Sequence, residues 1–233
     1  MKLIRVTQIE KFNRYMREAS AFDTEQSVID GISGTFKGNE YTYVGTAFHK
    51  LVEGDYTNIE KIEGGIAITI DDGYTVLMDV EQCRVARDYA DSMPLAFHEL
   101  REYKVFNVNG EEICITGCAD IINGLRINDI KTKYSYINEQ DYLDSFQWRM
   151  YLQLFDADIF TFDLFLFDGY KKDKNGLDVR GLPIIRHDPI ECMRYKEMEA
   201  DNARLIGKFL QWARFRGVYD LLPEYDINNL TIK

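Results

Sequence analysis

Apolar residues recur along this chain in two rhythms. Ile9, Phe12 and Met16 keep helical spacing behind Thr7-Gln8-Ile9-Glu10, a capping-box pattern, which predicts a helix over 7–18. Residues 31–43 are polar and glycine-rich and read as a loop, followed by a second helix from about Tyr43 to Val52. Alternation then takes over: 66–70 and 74–80 around Asp71-Asp72-Gly73 predict a hairpin. Residues 81–98 read as helical up to a break near Pro94, and strands are predicted at 101–108, 112–122 and 125–131. Asn138 with Asp141 opens a helix running to about Phe155. IFTFDLFLF, residues 159–167, is too continuously apolar for a half-exposed strand and predicts a buried central one. A basic loop, KKDKNG, leads to a strand near 178–186. Asp188-Pro189 with Glu191 then reads as the cap of a last helix over 189–216. Strands in the middle with helices around them imply an α/β (mixed α+β) fold: one central mixed sheet flanked by helices. No linker or repeat divides the chain, so 1–233 reads as a single domain.

Composition narrows the function more than the fold. With 45% hydrophobic and 13% aromatic residues, the chain has the material for a sizeable core. Its formal net charge of −11 argues against a broad basic surface coating nucleic acid, but leaves room for one local basic groove. The first residues have no apolar leader and no apolar run is long enough to span a bilayer, so a cytosolic protein with no membrane partner is expected. Cys83, Cys114, Cys118 and Cys192 form no CxxC pair, and Cys114 with Cys118 on one strand suits zinc poorly; they read as structural thiols. No P-loop and no nucleophile–base pairing is present, so neither a nucleotide cofactor nor covalent catalysis is expected.

The chemistry concentrates in GCADIINGLRINDIKTK, residues 117–133. A two-residue turn at Asn123-Gly124 would set Asp120 opposite Ile127 and Cys118 opposite Asp129. Asp120, Asp129 and Lys131 then share one face, with the two carboxylates diagonal across the strands. Like charges that close repel unless a cation lies between them, and hard oxygen ligands suit Mg²⁺ or Mn²⁺. A lysine beside such a metal can assist a water or stabilise charge growing on phosphorus. Asp-x-Lys alone is common, and a surface salt-bridge cluster is the better explanation of that fragment taken by itself.

Taken with their flanks, these residues resemble the PD-(D/E)xK nuclease superfamily, in its RecB-like and phage-recombination exonuclease branch. Gly117-Cys118-Ala119-Asp120 matches the G-x-x-D strand and Asp129-Ile130-Lys131-Thr132 the D/E-x-K-T strand. Gln147 with Tyr151 matches the Q-x-x-x-Y helix, and Gly45 with His49 in GTAFHKLVE matches an upstream G-x-x-x-H helix. The likeness covers about 43–156 and implies a restriction-endonuclease-like core over about 43–167, with the terminal helices packed on it. The second acid is Asp129 where relatives more often have Glu. Cas4-like and AddB-like relatives carry four cysteines around an iron–sulfur cluster, and the cysteines here do not follow that arrangement, so no cluster is expected.

The resemblance implies metal ligands at His49, Asp120, Asp129 and the carbonyl of Ile130, with Lys131 as the catalytic lysine. Glu53 either orients His49 or faces solvent. Glu102 is either an extra carboxylate for a second metal or an exposed strand charge. Gln147 and Tyr151 would contact DNA or brace the site, while Trp148 and Arg149, on the opposite side of their helix, either form a solvated face or touch substrate, the solvated face being the better reading. Lys171, Lys172, Lys174, Arg204, Lys208, Arg214 and Arg216 are candidate phosphate contacts. The expected activity is Mg²⁺- or Mn²⁺-dependent DNA hydrolysis, as an exonuclease of phage recombination or repair. A structure-specific endonuclease and a non-catalytic nuclease-fold binding protein are the alternatives. A homo-oligomer or a single-strand annealing partner is implied by the resemblance alone.

Overall fold

The protein is described here by a computed structural model covering residues 1–35, 37–71 and 73–226. The chain begins with β1 (Lys2–Arg5), α1 (Val6–Met16), α2 (Glu25–Ser33) and α3 (Glu40–Glu53). A small antiparallel sheet of β2 (Ile59–Ile62), β3 (Gly65–Thr69) and β4 (Thr75–Met78) leads into α4 (Val80–Asp91). The long strands β5 (Phe97–Val108), β6 (Glu111–Asn123) and β7 (Arg126–Lys133) follow, then α5 (Glu139–Leu143), α6 (Gln147–Leu154) and β8 (Ile159–Phe167). The chain continues through α7 (Lys172–Asn175), β9 (Ile184–Arg186), β10 (Ile190–Met193) and α8 (Met198–Phe215).

Seven strands form the central sheet in the order β1-β6-β7-β8-β10, with β5 also on β6 and β9 also on β8. β1 with β6 and β7 with β8 are parallel and the other pairs antiparallel, so the sheet is mixed and helices flank it. This is the architecture expected of a restriction-endonuclease-like core. Each face buries its own cluster. Phe12, Phe160, Phe162 and Phe209 pack with α1, α6 and α8 on one side. Phe48, Ile68, Met78, Phe165 and Phe167 pack with α3, α4 and the small sheet on the other. β8 feeds both clusters, which is why its sequence shows no polar alternation. Among the described residues, no helix is long and apolar enough to cross a membrane.

Several expected elements differ. Part of the supposed loop is α2, capped by the Thr24 side chain and closed by Gly34 in the left-handed region at φ 71°. Asp72, at the turn of the predicted β3–β4 hairpin, lies outside the described residues. The helix expected to Phe155 is two pieces, α5 and α6. The last helix begins at Met198, not at Pro189: Ile190–Met193 is a strand antiparallel to β8. Its burial alternates, Ile190 and Cys192 inward and Glu191 and Met193 outward, and that period of two overrides the capping signal.

One detail of the sheet makes the site. On a single edge of β6, β1 covers Ile113–Thr116 and β7 covers Ile121–Asn123. The four residues between, Gly117-Cys118-Ala119-Asp120, have no strand beside them on that edge among the described residues. On the opposite edge the pairing with β5 skips Glu99 and Asp120 and resumes in the same register. The inward–outward alternation slips at this point. Ile113, Ile115 and Ala119 face the first cluster, Ile121 the second, and Ile122 the first again. Irregularities of this kind re-aim side chains next to functional sites.

Candidate metal and nuclease centre

The hairpin register differs from the expected one by two residues: Ile122 pairs with Ile127 and Asn123 with Arg126, so Gly124-Leu125 form the turn. A shift of two keeps every side chain on its expected face. Asp120 therefore still shares a face with Asp129, but closer than the diagonal placement predicted. Its Oδ2 accepts the Ile130 N–H at 2.7 Å, replacing a ladder bond where the strands part.

Two glycines permit this packing. A Cβ on Gly45 of α3 would sit 2.8 Å from Thr132 Oγ1, so only glycine lets the helix approach β7 this closely. A Cβ on Gly117 would meet Leu154, Tyr151 and Val6 at 3.1–3.2 Å, under the seat of α6. The helices then deliver their side chains. His49 Nε2 lies 3.1 Å from the Ile130 carbonyl oxygen, and its Nδ1 lies 3.8 Å from Asp120 Oδ2. Gln147 Nε2 donates to Asp129 Oδ1 at 2.8 Å, and the Tyr151 hydroxyl donates to the Cys118 carbonyl at 2.8 Å, satisfying the unpaired stretch of β6.

Asp129 is 5% exposed. Lys131 Nζ stands 2.6 Å from its Oδ2, yet that oxygen receives no well-directed hydrogen bond. Burial pushes the Asp129 pKa above the usual carboxylate range, Lys131 pulls it back, and the neighbouring Asp120 charge adds to the rise. Burial opposes the Lys131 charge, but Asp129 and Asp120 outweigh it and hold the ammonium pKa above its usual value.

Sequence reasoning missed one carboxylate. Glu102 is exposed and its Oε1 accepts the adjacent Tyr103 N–H, outside the cleft. Glu99 instead faces the site, opposite Asp120, with φ 49°. His49, Glu99 and Asp120 each offer one ligand atom, all within 4.8 Å of one another. A readable signal existed: Asn109-Gly110 joins β5 to β6 as a two-residue turn, and counting back from it sets Glu99 opposite Asp120. Glu53 does not orient His49, whose Nε2 neighbour is the Ile130 carbonyl. It lies against Glu99 instead, and burial plus that neighbour push its pKa up to about 7.

The donor set fits a divalent cation. An imidazole nitrogen and several carboxylate oxygens converge, the acids crowd one another, and Asp129 Oδ2 is buried without a directed donor on the same cleft. That cleft holds about 640 Å³ and also presents Arg5 and Arg101.

Other candidates lie elsewhere. Trp148 is 6% exposed with its indole N–H on the Leu143 carbonyl, and the Arg149 guanidinium stacks on Phe146 and Trp148. Lys172 pairs with Glu40, Arg204 with Asp201, Arg214 with Glu111 and Arg216 with Glu25. These cations are engaged within the fold, while Lys171, Lys174 and Lys208 are exposed. All four cysteines are free thiols, on α4, β6 and β10.

No known family profile and no curated protein matches the chain. Among solved structures, the crystal structure of SSO0001 is similar over 91% of this chain and 76% of that one, at 17% identity and a TM-score of 0.48. A phage-related exonuclease from Haemophilus somnus 129PT is similar over 91% of this chain and 83% of its own, at 14% identity and a TM-score of 0.43.

Proposed function

We propose that this protein is a Mg²⁺- or Mn²⁺-dependent nuclease that hydrolyses DNA phosphodiester bonds, acting as an exonuclease of the phage recombination type. The observation that carries the reading is the junction of a buried, incompletely satisfied Asp129 with Lys131 at 2.6 Å, beside the His49–Glu99–Asp120 ligand set in one cleft. A structural salt bridge would not need two further acids and an imidazole around it. Like charges gathered this way destabilise the fold unless something cationic occupies them.

His49, Glu99, Asp120 and Asp129 would hold the metal. When bound, such a cation polarises a phosphoryl oxygen and lowers the pKa of a water at neutral pH. The remaining roles belong to the chain. The Lys131 ammonium, held charged by Asp129, is placed to donate to the growing charge on a phosphoryl oxygen. Gln147 fixes Asp129 through Oδ1 and leaves Oδ2 to Lys131. Tyr151 ties the open segment of β6 to α6. Arg5 and Arg101 give the strongly acidic molecule a local basic margin where a strand would enter.

The test is degradation of end-labelled linear DNA with Mg²⁺ and with Mn²⁺, by wild type and Lys131→Ala. Metal-dependent cleavage lost in the variant is the expected result, and the label position gives polarity. A closed circular substrate cut as fast as the linear one would replace the exonuclease by an endonuclease. Cleavage of neither form would overturn the nuclease reading.

A further inference from the structure

Beside the cleft, and sharing Lys131 and Gln147 with it, lies a separate recess of about 260 Å³ between α1, β7 and α5. That is below the roughly 300–1,000 Å³ of pockets for drug-sized ligands, so it suits a small group. Two of its lining groups are unused. Tyr142 is 8% exposed, and its hydroxyl has no hydrogen-bond partner among the described residues. Lys133 is half-buried with its Nζ 5.3 Å from the Tyr142 ring centroid, and has no carboxylate at ion-pair distance among the described residues. A buried hydroxyl without a partner and a half-buried ammonium without a counter-charge are both costly to leave so.

The other charged neighbours do not supply the missing partner. Arg14 is committed to Asp23 through two hydrogen bonds of 2.9 Å. The Glu10 Oε2 accepts the Phe146 N–H at 2.7 Å, and burial raises the pKa of that carboxyl. Asp141 also lines the recess without reaching Lys133. Burial, Lys131 and Arg14 pull the Lys133 pKa down, a repulsion that a bound anion would relieve.

The ammonium can only donate and the hydroxyl can donate, so an acceptor serves both at once, and beside an ammonium an anion fits best. We infer that this recess is a phosphate-binding subsite, with Lys133 and the Tyr142 hydroxyl as its donors and Lys131 at its mouth. The inference rests on the nuclease reading for the identity of its ligand: a phosphate group of the nucleic-acid strand, either terminal or in the chain next to the scissile bond. Its role is to position the strand, and nothing in it cleaves.

The probe is a fluorescein-labelled single-stranded oligonucleotide, bound in EDTA and followed by anisotropy, so that no turnover is needed. It is compared with 5′-phosphate, 3′-phosphate or hydroxyl ends, for wild type, Lys133→Met and Tyr142→Phe, each checked for an unchanged melting temperature. Either variant is expected to weaken binding about tenfold, the effect of one hydrogen bond to a charged group. Lys133→Met should also lower the slope of log K against log salt by about 0.7. A terminal-phosphate site shows the loss only for one phosphorylated end. An internal site shows it for all three, and a methylphosphonate at one linkage reproduces it in wild type without weakening Lys133→Met further. Folded variants that bind every oligonucleotide like wild type overturn the subsite. Because binding is measured without metal, that failure is distinct from a wild type that binds but does not cleave.

Discussion

Asp129 and Asp163 are buried carboxylates on neighbouring strands, 5% and 1% exposed, one step apart where β7 and β8 pair. They face opposite sides of the sheet, and their surroundings differ in kind. Asp163 is saturated: Arg186 donates to Oδ1 at 3.0 Å, while the Tyr89 hydroxyl and the Asn128 amide each donate to Oδ2 at 2.8 Å. Asp129 has Gln147 on one oxygen, an ion pair without a directed hydrogen bond on the other, and acids beside it. Burial alone does not mark a site. Completeness does: a carboxylate whose partners are all present holds the fold, and one left short and crowded by like charge is arranged for something else.

The largest effects should separate the two acids. Asp129→Asn is expected to reduce metal-dependent cleavage at least ~10²–10³-fold, the scale of removing one preorganised electrostatic group. Its melting temperature in EDTA should hold or rise, because the like-charge crowding is relieved. Asp163→Ala should do the reverse, destabilising by about 3 kcal/mol. That is the lower end of the range for a broken buried pair, since the Arg186 side chain is 48% exposed and keeps its hydration. The activity of the folded fraction should stay near wild type. Equal losses of stability in both variants would erase the distinction.

Metal gives the next contrast. At ~100 times its Kd, a cation that binds only the folded state stabilises by about 2.7 kcal/mol. Mg²⁺ or Mn²⁺ should therefore raise the wild-type melting temperature and EDTA should reverse it. Asp120→Asn should abolish the rise and Glu99→Gln should reduce it, whereas Glu102→Gln should leave it intact. A rise that survives Asp120→Asn would move the ion elsewhere. Smaller again is Tyr89→Phe, which removes one donor from a buried charge and should cost about 2 kcal/mol by denaturant melting, with no change in cleavage.

The same contrast explains what could be read from the chain. Asp120, Asp129 and Lys131 stood out because a hairpin puts them on one face, whereas Gly45, His49, Gly117, Gln147 and Tyr151 stood out only through the resemblance to the nuclease superfamily. β8 was legible because its apolar run admits no other placement. Asp163 was invisible for the same reason: one acid inside IFTFDLFLF gives no hint of partners drawn from α4, β7 and β9. The two Asn-Gly pairs show how fine the margin is. At Asn109-Gly110 they form the two-residue turn, and applying that rule there would have selected Glu99 over Glu102. At Asn123-Gly124 the same dipeptide does not, because the β7–β8 ladder begins at Arg126 and tertiary pairing sets the register. β10 was missed because Asp188-Pro189 imitates a helix start, and only its alternation against β8 shows a strand.

The last contrast concerns a third acid, the half-buried Glu10, which lies between the two extremes. Its Oε2 accepts the Phe146 N–H at 2.7 Å, and the Asn13 amide lies 3.3 Å from the same oxygen, but no cation pairs with it among the described residues. Burial raises its pKa, and those donors lower it less than burial lifts it. An acid whose pKa is raised by folding contributes stability that is fully present below its unfolded value, about 4.3, and is lost as pH rises through the folded one. Glu10→Gln keeps an oxygen for the Phe146 N–H and cannot ionise. The variant should therefore gain on wild type as pH rises from about 4 to 7, in denaturant melts at each pH. A difference between them that is flat across that range would mean the Glu10 carboxylate is stabilised by charge that the fold does not show, and Glu10 would then belong with Asp163.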